Sequence, residues 1–209
     1  MNLLIFGASG RTGHELVRQA LAANHHVTAY IRNPPKLKIE SENLRVIQGD
    51  ATDYSLVEDA VKGHDAVFST LGAASPFKYD QSVVDGIENI VKAMEATGVR
   101  RLIYMSAINV KESRGNAGLL VRFAATTLLK TETAGHEARE AIIKSSSLDW
   151  TLVRPAKLSD GKHTASYRHG EQVSAKGLAG GISRADVADF MLRQVNDNTY
   201  VRRTPMVMY

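Results

Sequence analysis

The sequence predicts an α/β fold: a doubly wound parallel sheet in three αβα layers, built by one domain. Three observations predict it. Short β-rich apolar runs alternate with stretches of helical periodicity from one end of the chain to the other. The strands are apolar along most of their length, as in a sheet covered on both faces. The first strand also passes through a glycine-rich turn straight into a helix, the place where doubly wound sheets put their ligand crevice. No repeat, low-complexity segment or linker divides the chain, so residues 1–209 read as a single domain.

Residues 2–6 (NLLIF) read as the first strand. Residues 11–23 follow as a helix with Leu16, Val17, Ala20 and Leu21 on one face. Strands come next at 26–31 (HVTAYI) and 44–48 (LRVIQ), then a helix at 54–62 and a strand at 65–69 (DAVFS). The helix at 80–97 is apolar at Val83, Val84, Ile87, Ile90, Val91 and Met94. Strand 101–105 (RLIYM) precedes a long helical region, 117–145, and strand 149–153 (DWTLV). The last helix, 183–195, opens with Ser183 as N-cap and Asp186 three residues on, close to a capping box. The tail TPMVMY supplies a closing strand, and loops are expected at 33–43, 71–80, 111–117 and 157–172.

The chain is 44% hydrophobic and 23% charged, ordinary values for a soluble globular protein. It has no cysteine, which excludes disulfides and thiolate metal sites and fits a cytoplasmic setting. No secretory leader precedes the first strand, and no uncharged apolar run is long enough to span a bilayer, so no membrane partner is expected. The net charge of +4 is scattered, with small groups at 32–38, 100–101 and 202–203, so nucleic acid is not an expected partner either. A polyanionic small molecule accounts for part of the surplus. No His-x-x-x-His or acid-flanked pair predicts a metal site; His136, His163 and His169 read as surface residues.

The turn after the first strand reads GASGRTG. Gly7 permits the tight turn, Gly10 lets backbone approach a pyrophosphate, and Gly13 lets the helix pack on the sheet. The N–H groups of Arg11, Thr12 and Gly13 then point at negative charge, reinforced by the helix dipole. The spacing G-x-x-G-x-x-G differs from the usual fingerprint, but its context, strand before and helix after, is the required one. The tip of the second strand has Tyr30, Ile31 and Arg32 and no carboxylate. An acid there would hold ribose hydroxyls; an arginine suits a 2′-phosphate, with Lys36 and Lys38 adding charge. The expected cofactor is therefore NADP(H). Further strand ends add Asp50 and Ala51, then Ser69, Thr70, Leu71 and Gly72, then Ser106, then Arg154, Pro155 and Lys157. Asp50 either accepts from the adenine amino group or closes a turn, in which case Thr52 caps the next helix. Ser106 either faces substrate or is a small residue giving backbone clearance. Lys157 either faces inward or is a solvated loop lysine.

The motifs GASGRTG, YIRNPPKL, GDATD, YMSA and SSLDWTLVRPAKLSDG resemble those of atypical short-chain dehydrogenases/reductases, over nearly the whole chain. Within that group the chain is most similar to the NAD(P)H-binding, NmrA-like proteins and the biliverdin-IX beta reductase/flavin reductase branch. The resemblance implies a Rossmann-like fold, NADPH, and hydride transfer to a planar acceptor such as a flavin, a quinone or a tetrapyrrole. By position, Gly7, Ser9, Gly10, Arg11, Thr12 and Gly13 would bind pyrophosphate, Arg32 the 2′-phosphate and Asp50 the adenine. Thr70, Leu71 and Gly72 would run along the cofactor, and Ser106 would face the substrate. Two departures stand out. No tyrosine is followed by a lysine four residues on, so the Tyr-Lys dyad of ordinary members is absent. Lys157 stands where the biliverdin/flavin reductases carry a histidine.

Hydride transfer to a planar acceptor asks the protein mainly for orientation and a dry site. Ser106 would orient the substrate or the nicotinamide carboxamide, and Lys157, if it faces inward, would stabilise the anionic reduced ring. The substrate region is expected from 106–118 and 154–172, with 162–170 as a lid or rim. The competing expectation is a non-catalytic NADP(H) sensor that passes the redox ratio to a protein partner. A sugar-nucleotide epimerase ranks last, because little chain follows the sixth strand.

Overall fold

The computed structural model describes residues 1–73, 79–116, 130–174 and 181–209. The first strand, β1 (Asn2–Phe6), is the centre of the sheet because its side chains are apolar on both faces. Leu3 and Ile5 point to one core, Leu4 and Phe6 to the other, the period-two alternation of a strand buried on both sides. β1 pairs in parallel with β2 (His26–Ile31) and with β4 (Ala66–Ser69). β3 (Leu44–Gln48) adds outside β2, and β5 (Arg101–Met105) and β6 (Asp149–Pro155) add outside β4.

One core is closed by α1 (Arg11–Ala22) and α5 (Arg184–Arg193), through Leu16, Val17 and Ala20 against Val187, Phe190 and Met191. The other is closed by α2 (Tyr54–Val61), α3 (Gln81–Thr97) and α4 (Lys130–Ser145). The remaining strands are short: β7 (Leu158–Ser159), β8 (Arg168–Gly170), β9 (Ile182–Ser183) and β10 (Met206–Met208). The strand order is β3-β2-β1-β4-β5-β6-β10-β8, with β7 and β9 forming a separate parallel pair. Among the described residues, only β10 and β8 run antiparallel. This is the expected doubly wound αβα sheet. Its direction of winding reverses between β1 and β4, which opens a crevice at their C-terminal ends.

Several expectations change. The tail does more than close an edge: β10 lies between β6 and β8 and pairs with both. The expected loop 157–172 contains β7 and β8. The long helical region is helix over Lys130–Ser145, and its first part, 117–129, lies outside the described residues. Ser183 caps α5 as expected, accepting from the Asp186 N–H at 3.0 Å. The Asp186 carboxylate, however, does not return to the cap. It accepts from the N–H groups of Thr164 and Ala165 and from the hydroxyls of Thr164 and Tyr209. At the start of α2 the capping side chain is Asp53, which accepts from Leu56 N–H, and not Thr52.

Candidate functional site

At the switch point the chain leaves β1 through Gly7, whose φ of +78° is a left-handed conformation that favours glycine. Gly10 then caps α1 through its backbone alone: its N–H donates to Gly7 O, and its carbonyl accepts from His14 N–H. With no side-chain cap, the first-turn amides of α1 are left for a ligand. A Cβ at Gly13 would stand 2.2 Å from Gly7 O, so the glycine lets the helix sit on the turn itself. Thr70, at the end of β4, completes this packing; its hydroxyl bridges to Phe6 O and Gly7 O at 3.2 Å each. Thr70 thus holds the glycine turn to the sheet.

A crevice of about 220 Å³ lies over this turn. Of the expected cofactor residues, Gly7, Ser9, Gly10, Arg32, Asp50, Ala51, Thr70, Leu71 and Gly72 line it. Lys36 lines it as well, whereas Lys38 does not. Tyr30 and Ile31 of the β2 tip line it too, and Asn33, Gly49, Ser82 and Val83, which were not expected there, complete the wall. Tyr30 lies against Phe6, ring centroids 4.8 Å apart, and its hydroxyl donates to Asp50 O at 3.0 Å. Burial first, then the nearby Asp53 and Asp50, push its phenol up to about 12, so it stays a neutral donor. Asp50 closes a turn: its Oδ1 accepts from the N–H and hydroxyl of Thr52, which lowers its carboxyl below the usual range. The turn reading of Asp50 holds, and the residue also lines the crevice. The turn is secured from behind by Asn89, which donates to Ala51 O at 3.0 Å. No local pattern pointed to Asn89, 38 residues downstream.

The residues expected at the substrate end are arranged differently. Ser106 is 3% exposed and donates from Oγ to Glu140 Oε1 at 2.6 Å, so its hydroxyl is turned toward α4 and not toward the crevice. Arg154 does not stand beside the crevice; it is buried, paired with Glu140 and reaching Glu112 at 2.7 Å. Lys144 completes the chain of charges, 2.8 Å from Glu112. Burial would lower the Arg154 guanidinium, but Glu140 and Glu112 outweigh it and raise it. Hydrogen bonds from Lys144 and Arg154 hold the Glu112 carboxyl down at about 2. Pro155 is buried in β6, its carbonyl accepting from Ile108 N–H, and the Lys157 side chain is exposed outside the crevice. Thr12 is buried, and Arg11 lines a second cavity on the other side of the glycine turn.

His136 is a further correction. It is buried in α4, not on the surface, and burial, then Arg139, hold its imidazole down at about 3, so it is neutral. Arg139 beside it donates to Gly135 O and reaches Leu71 O at 3.4 Å, joining α4 to the crevice wall. The segment 162–170 is not a loose lid. Asp186 ties it at Thr164 and Ala165, and Asp189 ties it at Tyr167 and His163. The expected substrate residues 117 and 118 lie outside the described residues. Among the described residues, no group of three or more histidine or acidic side chains could hold a metal ion, and no helix is long and apolar enough to cross a membrane.

A family model described as NAD(P)H-binding matches residues 7–198. The uncharacterized protein YwnB of Bacillus subtilis is 30% identical over 202 residues, covering 93% of this chain and 92% of YwnB. A short-chain dehydrogenase/reductase from Veillonella parvula, solved in complex with NADP, superposes with a TM-score of 0.78 at 22% identity, covering 99% of this chain and 93% of that one. The anaerobillin reductase ChuY of Escherichia coli O157:H7 superposes with a TM-score of 0.78 at 23% identity, covering 99% and 96%.

Proposed function

The chain belongs to the NAD(P)H-binding family, and from that premise we propose that it is an NADPH-dependent reductase that passes hydride to a planar acceptor. The observation that carries the NADPH assignment is the adenosine end of the crevice. Arg32 and Lys36 line it, and no acidic side chain stands at the tip of β2 to compete for the ribose. The glycine turn fits the rest of a dinucleotide: no Cβ at Gly7, Gly10 or Gly13, and uncapped helix amides beside it. Support for a reductase comes from fold relatives solved with NADP or named as a reductase of anaerobillin.

NADPH, when bound, supplies the hydride from its reduced nicotinamide ring. This chain's residues would do the holding. First-turn amides of α1 bind the pyrophosphate, Arg32 and Lys36 bind the 2′-phosphate, and Leu71 and Gly72 present backbone along the cofactor. Thr70 and Tyr30 act behind them, fixing the glycine turn and the Asp50 turn. Ser106 serves as a positioning residue, joining the end of β5 to Glu140, and water would supply the proton.

Nicotinamide fluorescence titrations with NADPH and NADH test the cofactor. Loss of 2′-phosphate pairing in Arg32→Ala is expected to weaken NADPH at least about tenfold and leave NADH nearly unchanged. Equal affinities, with Arg32→Ala neutral, overturn the assignment. NADPH oxidation is then followed with FMN, riboflavin, quinones and biliverdin. Tight NADPH binding with no turnover on any acceptor replaces the reductase with a redox sensor.

A further inference from the structure

A second cavity lies on the other flank of the glycine turn. It encloses about 330 Å³ and shares Ser9 and Gly10 with the crevice. Its wall carries two guanidinium groups bridged by one carboxylate. Arg11 Nη1 lies 2.9 Å from Asp160 Oδ2, and Arg184 Nη1 lies 2.6 Å from Asp160 Oδ1. The other acid of the wall, Glu15, is paired with Arg18, 2.8 Å away and outside the cavity.

The wall therefore holds two cations for one shared anion. Arg184 is the first residue of α5, where a cation opposes the helix dipole, and its side chain is only 12% exposed. A guanidinium so placed requires a negative partner. Asp160 supplies it, yet that carboxylate is 64% exposed and offers one oxygen to each arginine. A phosphate group has oxygens enough to meet both guanidinium forks at once and carries more charge. The geometry points to a phosphate site formed by Arg11 and Arg184, with Asp160 as the internal anion that a ligand phosphate displaces. The inference rests on the cofactor reading of the adjoining crevice. The phosphate comes either from the dinucleotide's pyrophosphate or from an acceptor that carries one, as FMN does and riboflavin does not.

The test uses the full chain, Asp160→Asn and Arg184→Gln. Three ligands are titrated: inorganic pyrophosphate, NADPH, and FMN against riboflavin on the NADP-loaded protein. Removal of the competing carboxylate in Asp160→Asn is expected to tighten the phosphate ligand several-fold. Arg184→Gln is expected to weaken it by about tenfold. Shifts in NADPH assign the site to the cofactor. Unchanged NADPH, with the preference for FMN over riboflavin lost in Arg184→Gln, assigns it to the acceptor. A folding defect weakens binding in both variants, so opposite signs are diagnostic. Weakening in both, or no shift beyond about twofold in any ligand, leaves Arg11–Asp160–Arg184 a surface ion-pair cluster and overturns the inference. A wild-type chain that binds pyrophosphate with these dependences but not NADPH overturns the cofactor reading and retains the clamp.

Discussion

Gly13 and Gly10 look alike in the motif but meet different surroundings. A methyl at Gly13 would lie 2.2 Å from Gly7 O and 2.8 Å from Gly7 C, backbone that cannot yield cheaply, and 2.8 Å from the Thr70 hydroxyl. Gly13→Ala is expected to cost about 2 kcal/mol in urea unfolding, within the range of overpacked sites. At Gly10 the nearest atom is Gly7 O at 3.2 Å, and the added methyl faces open crevice. Gly10→Ala is expected to unfold close to wild type but bind NADPH more weakly. Equal stability losses in the two variants would contradict this division of roles. The same scale shows where residue-level reading stops. Ser106 lies just past the end of β5, so strand alternation does not fix its direction. Glu140, 34 residues on, decides it.

Among elements, α5 and the strap 162–170 form one unit joined by acid side chains. Burial by itself would raise the Asp186 carboxyl, but hydrogen bonds from Tyr209, Thr164 and Ala165 prevail and hold it at about 2. Its folded value therefore lies below its unfolded one. The stabilisation is present above the unfolded value near 4 and is lost as pH falls toward about 2. Asp186→Asn is expected to lose about 2 kcal/mol at neutral pH, with the gap to wild type closing between pH 4 and pH 2. Chemical unfolding across that range checks it; a gap independent of pH would show that the carboxylate charge is not what holds the strap. His136 in α4 works in the same direction at higher pH. Its folded value of about 3 lies below the ordinary 6.5, so unfolding takes up a proton between those values. Stability should fall as the medium is acidified below about 6.5, and His136→Leu should flatten that part of the profile.

For the molecule as a whole, the sheet depends on its last residues. β10 lies between β6 and β8, its three residues Met206, Val207 and Met208 are buried, and the Tyr209 hydroxyl reaches Asp186. Removal of residues 206–209 should open the β6 side of the sheet, expose a strand edge and give aggregated or unfolded protein. Recovery of a folded monomer with wild-type melting would refute that. The element order, the parallel sheet and the position of the crevice were legible in the sequence, because hydrophobic period and glycine chemistry act over a few residues. So was the presence of Arg32 on the crevice wall, since it follows directly on the tip of β2. The substrate end was not: Ser106, Arg154 and the strap acquire their partners from α4 and α5, tens of residues away. The sequence by itself determined which elements form and where the glycine turn joins β1 to α1, since those follow from contacts between near neighbours. Only the tertiary structure decided that Arg154 is buried against Glu140, that the tail enters the sheet, and that Asp160 bridges Arg11 and Arg184. Those pairings join distant parts of the chain, and no local pattern encodes the path that brings them together.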